Sequence, residues 1–150
     1  MTYTPRHYTS KLMHGIAERI HTAGLAVYRP NGTPYTSSER GIYFDHSPAP
    51  ADAHPVETCV ITPYMPQSGD LAIEHTRVQI RARHVGRHTL WIRDWLDDMR
   101  ALFPDKTHLV IGGLQFDRVR QSGSTSWGEP TRQNQVETTQ NFAFRGNRYD

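Results

Sequence analysis

Apolar positions along the chain keep two rhythms, one helical and one alternating, and the switches between them divide it into helix, strands, helix, strands. Leu12, Ile16 and Ile20 recur every four residues, and Met13 and Ala17 widen the stripe, which predicts a core-facing helix. Thr9 or Ser10 is the expected cap, and Gly24 is the left-handed residue expected to end the helix after about Ala23. Leu25 to Tyr28 read as a strand stopped by Pro30-Asn31-Gly32, and residues 29–40, rich in Pro, Gly, Ser and Thr, read as an exposed loop. Gly41-Ile42-Tyr43-Phe44 is a short strand, followed by a proline-rich loop over 45–55. Thr58 to Thr62 is a further β run, which Pro63 and Pro66 are expected to end.

The clearest strand is Arg77 to Arg83, where Val78, Ile80 and Ala82 alternate with Arg77, Gln79, Arg81 and Arg83. A second helix is predicted from about Thr89 to Phe103, with Ile92, Trp95, Leu96, Met99 and Phe103 on one stripe and Pro104 closing it. Leu109 to Phe116 is strand-like, with Gly112-Gly113 imposing a bend or a turn. Residues 121–130 read as a turn-rich loop, and a last strand over about Gln135 to Phe144 alternates Val136, Thr138, Gln140, Phe142 and Phe144. The order predicts an α+β fold, a mostly antiparallel β-sheet flanked by two main helices. One domain is expected over 1–150, with 1–8 as a flexible N-terminal arm.

Composition refines this picture. A chain of 150 residues matches one domain with a sizeable core, yet only 36% of it is hydrophobic. That shortfall implies long polar loops or surface that is covered by partners. Lys and Arg exceed Asp and Glu by only 17 to 15, too small an excess to mark a nucleic-acid coat by itself. A single cysteine, Cys59, allows no internal disulfide and fits a reducing compartment. No apolar run is long enough to span a bilayer, and Met1 to His7 lack the apolar stretch of a signal peptide. The expected setting is therefore a cytoplasm, with no membrane contact.

Chemistry-bearing residues form no recognisable set. His84 and His88 are the best-spaced pair among nine histidines, but Gly86 lies between them and no cysteine or HExxH glutamate accompanies them. Cys59, beside Val60 and Ile61, reads as a small core residue. Asp94, Asp97 and Asp98 read as the solvated face of the second helix. The expectation is a protein with no catalytic residues, no metal and no cofactor. The informative residues are instead Arg77, Arg81, Arg83 and Arg87, with Trp91 and Trp127. The arginines suit either a water-facing sheet side paired with neighbouring acids or a subunit or partner contact, with DNA backbone contact ranked below both. The two tryptophans are candidate interface anchors, with ordinary partial burial as the default.

Several segments taken in order resemble the tail terminator proteins of long-tailed, non-contractile bacteriophages, also labelled minor capsid or tail-to-head joining proteins. They are the helix followed by Gly24-Leu25-Ala26-Val27-Tyr28, then Gly41-Ile42-Tyr43-Phe44, then Val60-Ile61-Thr62-Pro63-Tyr64. Next come Thr76 to Arg83 with the helix after it, Gln121-Ser122-Gly123, Trp127-Gly128-Glu129, Arg132 and Gln140-Asn141-Phe142. The sequence departs from the pattern at Glu129, where such proteins often carry Gly-Asp. The resemblance implies an α/β fold and a ring, usually a homohexamer, at the head-tail junction of a virion. Such a ring caps the finished tail tube, stops its elongation and presents a surface to the head-completion or connector protein. Its expected partners are its own copies, the tail tube protein and the connector, with DNA passing through the lumen without sequence-specific binding. A head-closure or neck protein is the near alternative. A small nucleic-acid-binding module using the arginine strand is the alternative from another class.

Overall fold

The computed structural model describes residues 2–46, 57–68, 73–85, 89–104, 108–121, 126–127 and 135–147. Helix α1 (Tyr8–Thr22) starts one residue before the predicted caps, with His7 at the N-cap and no side-chain cap bond. Thr9 and Ser10 therefore lie in the first turn. The earlier start extends the four-residue stripe back to Tyr8, which is buried with its hydroxyl hydrogen-bonded to Thr76 Oγ1 at 3.0 Å. The helix ends as predicted at Gly24, whose φ is 75°. Gly24 N–H donates to the His21 carbonyl and Leu25 N–H to the Ile20 carbonyl, the paired bonds of a Schellman ending.

The predicted strand over Leu25 to Tyr28 is reduced to one parallel bridge between Val27 and Gly41. The ladder stops there because the next rung would join the Arg29 N–H to the Ile42 carbonyl, and the Tyr35 hydroxyl takes both, accepting from the first and donating to the second. Strand β1 (Arg40–Phe44) pairs in parallel with β2 (Glu57–Ser68). Strand β2 does not end at its prolines. Its partner β1 reaches only to Ile61, so Pro63 sits beyond a strand edge that is already open, and Pro66 falls where the register slips between Tyr64 and Gln67. A residue without an N–H is tolerated at such places.

Strand β3 (Ile73–Val85) pairs antiparallel with β2 on one side and with β7 (Gln135–Asn147) on the other. Helix α2 (Thr89–Ala101) then leads to β4 (Leu109–Ile111) and β5 (Leu114–Gln121). Gly112 and Gly113, at φ 61° and 77°, form the two-residue turn between β4 and β5, so the segment is a hairpin rather than one bent strand. The sheet order is β1-β2-β3-β7-β5-β4, and the short β6 (Ser126–Trp127) pairs with β7 beyond the end of β5. The last strand of the sequence thus lies in the middle of the sheet. Among the described strands β1 and β2 pair in parallel and the other pairs are antiparallel, so the fold is α+β with a mostly antiparallel sheet.

Both helices lie on the same face. Side chains there form cross-strand rows, among them Ile42, Cys59, Ala82 and Thr138, then Ile61, Ile80 and Gln140, then Val78 and Phe142. The stripe of α1 covers one part of this face, and Ile92, Trp95, Leu96, Met99 and Phe103 cover another. Cys59 Sγ donates to Met99 Sδ at 3.9 Å, and Phe103 meets the Phe142 and Phe144 rings edge-on. Each fully buried Phe or Ile here contributes roughly 2–3 kcal/mol of transfer free energy.

Candidate assembly surface

With both helices on one face, the opposite face of the sheet is open over β7 and β5 and covered at its β2 end, where Thr58, Val60 and Arg83 are buried. The registers fix which residues share it. On β3 these are Arg77, Gln79, Arg81 and Arg83, opposite Ala143, Asn141, Thr139 and Glu137 of β7. Arg145 of β7 carries the row on, directly opposite Arg118 of β5, while Arg120 of β5 lies opposite Ala143. The alternation that predicted a polar side for β3 therefore extends over three adjacent strands. Its signal was present in Arg118-Val119-Arg120 and Phe144-Arg145, but only the pairing joins these to the first row.

The arginines on this face differ in their environments. Arg77, Arg118, Arg120 and Arg145 are exposed, and Arg145 Nε lies 3.7 Å from Asp117. Arg81 is half-buried and donates weakly to the Asp45 carbonyl at 3.4 Å. Arg83 is buried, and its burial pushes the guanidinium down from its ordinary value while Glu137 and Tyr43 pull it back up. Arg87 lies outside the described residues. Trp127 contributes backbone to β6 opposite Thr138, and its side chain lies outside the described part. Trp91 belongs to the other face. Its ring stacks under the Arg40 guanidinium, 4.2 Å from the centroid, and packs against the core. The structure thus gathers Arg77, Arg81 and Arg83 with Arg118, Arg120 and Arg145, and separates Trp91 from them.

At the β1 edge the 29–40 segment folds over onto this face, and it is more ordered than an exposed loop. Arg29 grips Glu39 through two bonds of 2.8 and 2.6 Å and lies 5.4 Å from the Tyr35 ring centre. The Tyr35 hydroxyl accepts from Arg29 N–H and donates to the Ile42 carbonyl. Gly41 is required beneath it, since a Cβ there would meet the Tyr35 ring at 2.8 Å. The arm before α1 is tied to the same segment by the Tyr3 N–H, which donates to the Pro30 carbonyl at 3.2 Å. Between this segment, α1 and β1 runs a groove of about 780 Å³, with Met13, His14, Tyr28, Tyr35, Tyr43 and Phe44 among its walls. His14 Nδ1 is hydrogen-bonded to the Tyr28 hydroxyl at 2.8 Å, and its Nε2 lies 3.0 Å from Glu18. Burial and the Glu18 charge push the Tyr28 phenol up to about 12, which keeps it protonated at neutral pH.

Other reactive groups sit inside the fold. Burial raises the Cys59 thiol to about 12, leaving no thiolate at neutral pH. His84, the better-placed member of the predicted histidine pair, is buried on the helix-covered face, and burial holds its imidazole below the ordinary value. Its companion His88 lies outside the described residues. Among the described residues no three of His, Cys, Asp and Glu converge as a metal site would need. No described helix is long and apolar enough to cross a membrane.

No family model matches the chain, and no curated protein matches it. Among solved structures, one chain aligns at a TM-score of 0.48 and 15% identity, over 91% of this chain and 94% of that one. A chain from the virion of native gene transfer agent (GTA) particle aligns with a TM-score of 0.60 at 9% identity, covering 93% of this chain and 97% of that chain. At that identity what the two share is the fold, and they share it nearly end to end.

Proposed function

We propose that the protein is a structural subunit of a phage-like particle, and within it a tail terminator. The observation that carries this reading is the near end-to-end likeness to a chain of the gene transfer agent virion, at a length matching one subunit. The ordered series of tail-terminator-like segments in the sequence narrows it. Copies of the chain, six in the family that the sequence resembles, form a ring on the completed tail tube. The ring occupies the growing end and stops further tube subunits by steric exclusion, so no chemical step and no cofactor is involved. Its outer rim meets the head-completion or connector protein, and DNA passes through its opening. The site of action is the head-tail junction of a virion assembled in the host cytoplasm.

The low apolar fraction, 36%, suits contacts that are partly polar, and a head-to-tail ring closes without leaving an unused edge. Particles made with and without the protein test the reading by electron microscopy. The expected result is density for the protein at the head-tail junction, and, without it, unjoined tails of irregular or excess length. Particles that lack the protein yet join heads to tails of normal length overturn it.

A further inference from the structure

We propose that the helix-free face of the sheet is a sequence-independent contact surface for the phosphate backbone of duplex DNA. The first support is charge. Arg77, Arg81 and Arg83 of β3, Arg145 of β7, and Arg118 and Arg120 of β5 share this face by register. The carboxylates that share it among the described residues are Glu137, beside the buried Arg83, and Asp117, beside Arg145. The near-neutral total charge of the chain conceals this segregation.

The second support is what the face lacks. A protein partner is held by buried aromatic or aliphatic anchors surrounded by a polar rim. The exposed large apolar residues among the described part are Tyr3, on the arm, Leu90, on α2, and Val110, which shares this face only at its far edge on β4, opposite Gln115. Toward β7 the arginines are separated by small or amide side chains, Ala143, Thr139 and the Gln79–Asn141 pair at 3.4 Å, while toward β2 Arg77 lies opposite the half-buried Tyr64 and Arg81 opposite the buried Val60. The arginines are mounted on paired strands rather than on loops. Arg77 and Arg81 are about 13 Å apart along β3, and Arg77 and Arg120 are about 10 Å apart across β7. Duplex DNA presents roughly one negative charge per 1.7 Å of its axis, so several phosphates come within reach of these side chains at once. Contacts of this kind fix position without reading bases, as a surface lining the path of passing DNA requires.

The inference deepens the proposed function, and rests on it only for the source of the DNA. Its test is fluorescence anisotropy of labelled duplexes of two unrelated sequences, titrated with the full chain between about 50 and 200 mM salt, the range over which phosphate contacts weaken steeply. The expected result is equal affinity for both sequences and a log–log salt slope of about −3 to −5, from contacts by Arg77, Arg81, Arg118, Arg120 and Arg145. Replacing both Arg77→Gln and Arg120→Gln, two exposed positions, reduces that slope by about 2 with the melting midpoint unchanged. Arg6→Gln, on the exposed arm, is the control that leaves the slope intact. No salt-dependent binding, a slope unchanged in the double variant, or strong preference for one sequence overturns the proposal. So does polyglutamate binding that the duplex fails to displace, which assigns the face to an acidic protein. If binding is absent while microscopy still finds the protein at the head-tail junction, this inference fails and the structural role stands.

Discussion

The guanidinium of Arg40 lies 4.2 Å from the centre of the Trp91 ring and 4.9 Å from that of Trp95, while its Nε donates to Glu57 at 2.9 Å. Arg40 and Glu57 are direct neighbours across β1 and β2, so the parallel pairing itself creates the ion pair. Trp95 is held in place by its indole N–H, which donates to the Leu25 carbonyl. The first turns of α2 are thereby clamped to the edge of the sheet. Arg40→Ala leaves the nearly buried Glu57 carboxylate without this partner and is expected to cost about 3 kcal/mol. Arg40→Lys keeps the charge but loses the flat stacked geometry, and recovers only part of that. Trp91→Ala is expected to cost about 1–2 kcal/mol of the isolated subunit's stability. Urea melts at low protein concentration decide the matter. A Trp91→Ala melt equal to wild type returns Trp91 to the role of an interface anchor.

Helix α1 crosses the β4–β5 turn backbone to backbone at Gly15 and Gly112. A Cβ on Gly15 would run into the Gly112 backbone, and one on Gly112 would run into the Lys11 carbonyl. Helix propensity alone favours Gly15→Ala by about 1 kcal/mol. The contact opposes this with overpacking of about 1–3 kcal/mol against backbone that cannot give way. The expected sign is therefore destabilising. A higher melting midpoint in the Gly15→Ala variant means that the hairpin moves off the helix without loss.

The parts of this fold that were legible in the sequence are those written in local periodicity. The stripe Leu12, Ile16, Ile20 and the stripe Ile92 to Phe103 emerged as buried helix faces, and Val78, Ile80 and Ala82 as the inner side of a strand. What stayed hidden depends on pairing between distant segments. Nothing near Gln135 announces that β7 will insert between β3 and β5, so Arg118, Arg120 and Arg145 could not be joined to the Arg77 row. Tyr35 lay in a segment rich in turn formers, and its anchoring needs Ile42 and Gly41 beside it. Pro63 and Pro66 misled because the rule against proline in strands applies where both edges are paired. Trp91 is exposed enough to look available, yet its partner Arg40 is fifty-one positions away in sequence.

His84 gives the fold a pH dependence of predictable sign. Its two ring nitrogens have no hydrogen-bond partner among the described residues, and burial holds its imidazole below the ordinary 6.5, with the Glu57 charge opposing. The unfolded chain therefore binds this proton more readily than the folded one, and stability rises with pH between the folded and unfolded values. The contribution is complete above about 6.5 and is lost as pH falls below it. Melting midpoints measured from pH 7.5 to 5 are expected to fall toward acid. His84→Leu, which removes the titrating group, is expected to flatten that fall. An unchanged slope in the variant assigns the acid sensitivity to other groups.

Charge reversal at Arg77 separates the two uses that the exposed sheet face has in a ring. If this face looks onto the DNA path, the contacts between subunits lie elsewhere, at the groove beside β1 or at the open edge of β4. Arg77 is exposed and serves no described ion pair, so Arg77→Glu leaves the fold intact, within about 0.5 kcal/mol. Arg83 is unsuitable for the same experiment, because a carboxylate at that buried position perturbs folding itself. Free protein is expected to be monomeric when dilute, and to gather into rings as concentration rises or where docking sites on a tube raise the local concentration. Light scattering over a wide concentration range is expected to give the same association curve for Arg77→Glu and wild type, while DNA binding by the variant falls. A variant that stays monomeric where wild type forms rings places Arg77 between subunits. Reversing a charge there strands its partner, at a cost of roughly 2–5 kcal/mol per contact. The DNA-facing orientation is then wrong even if the ring is right.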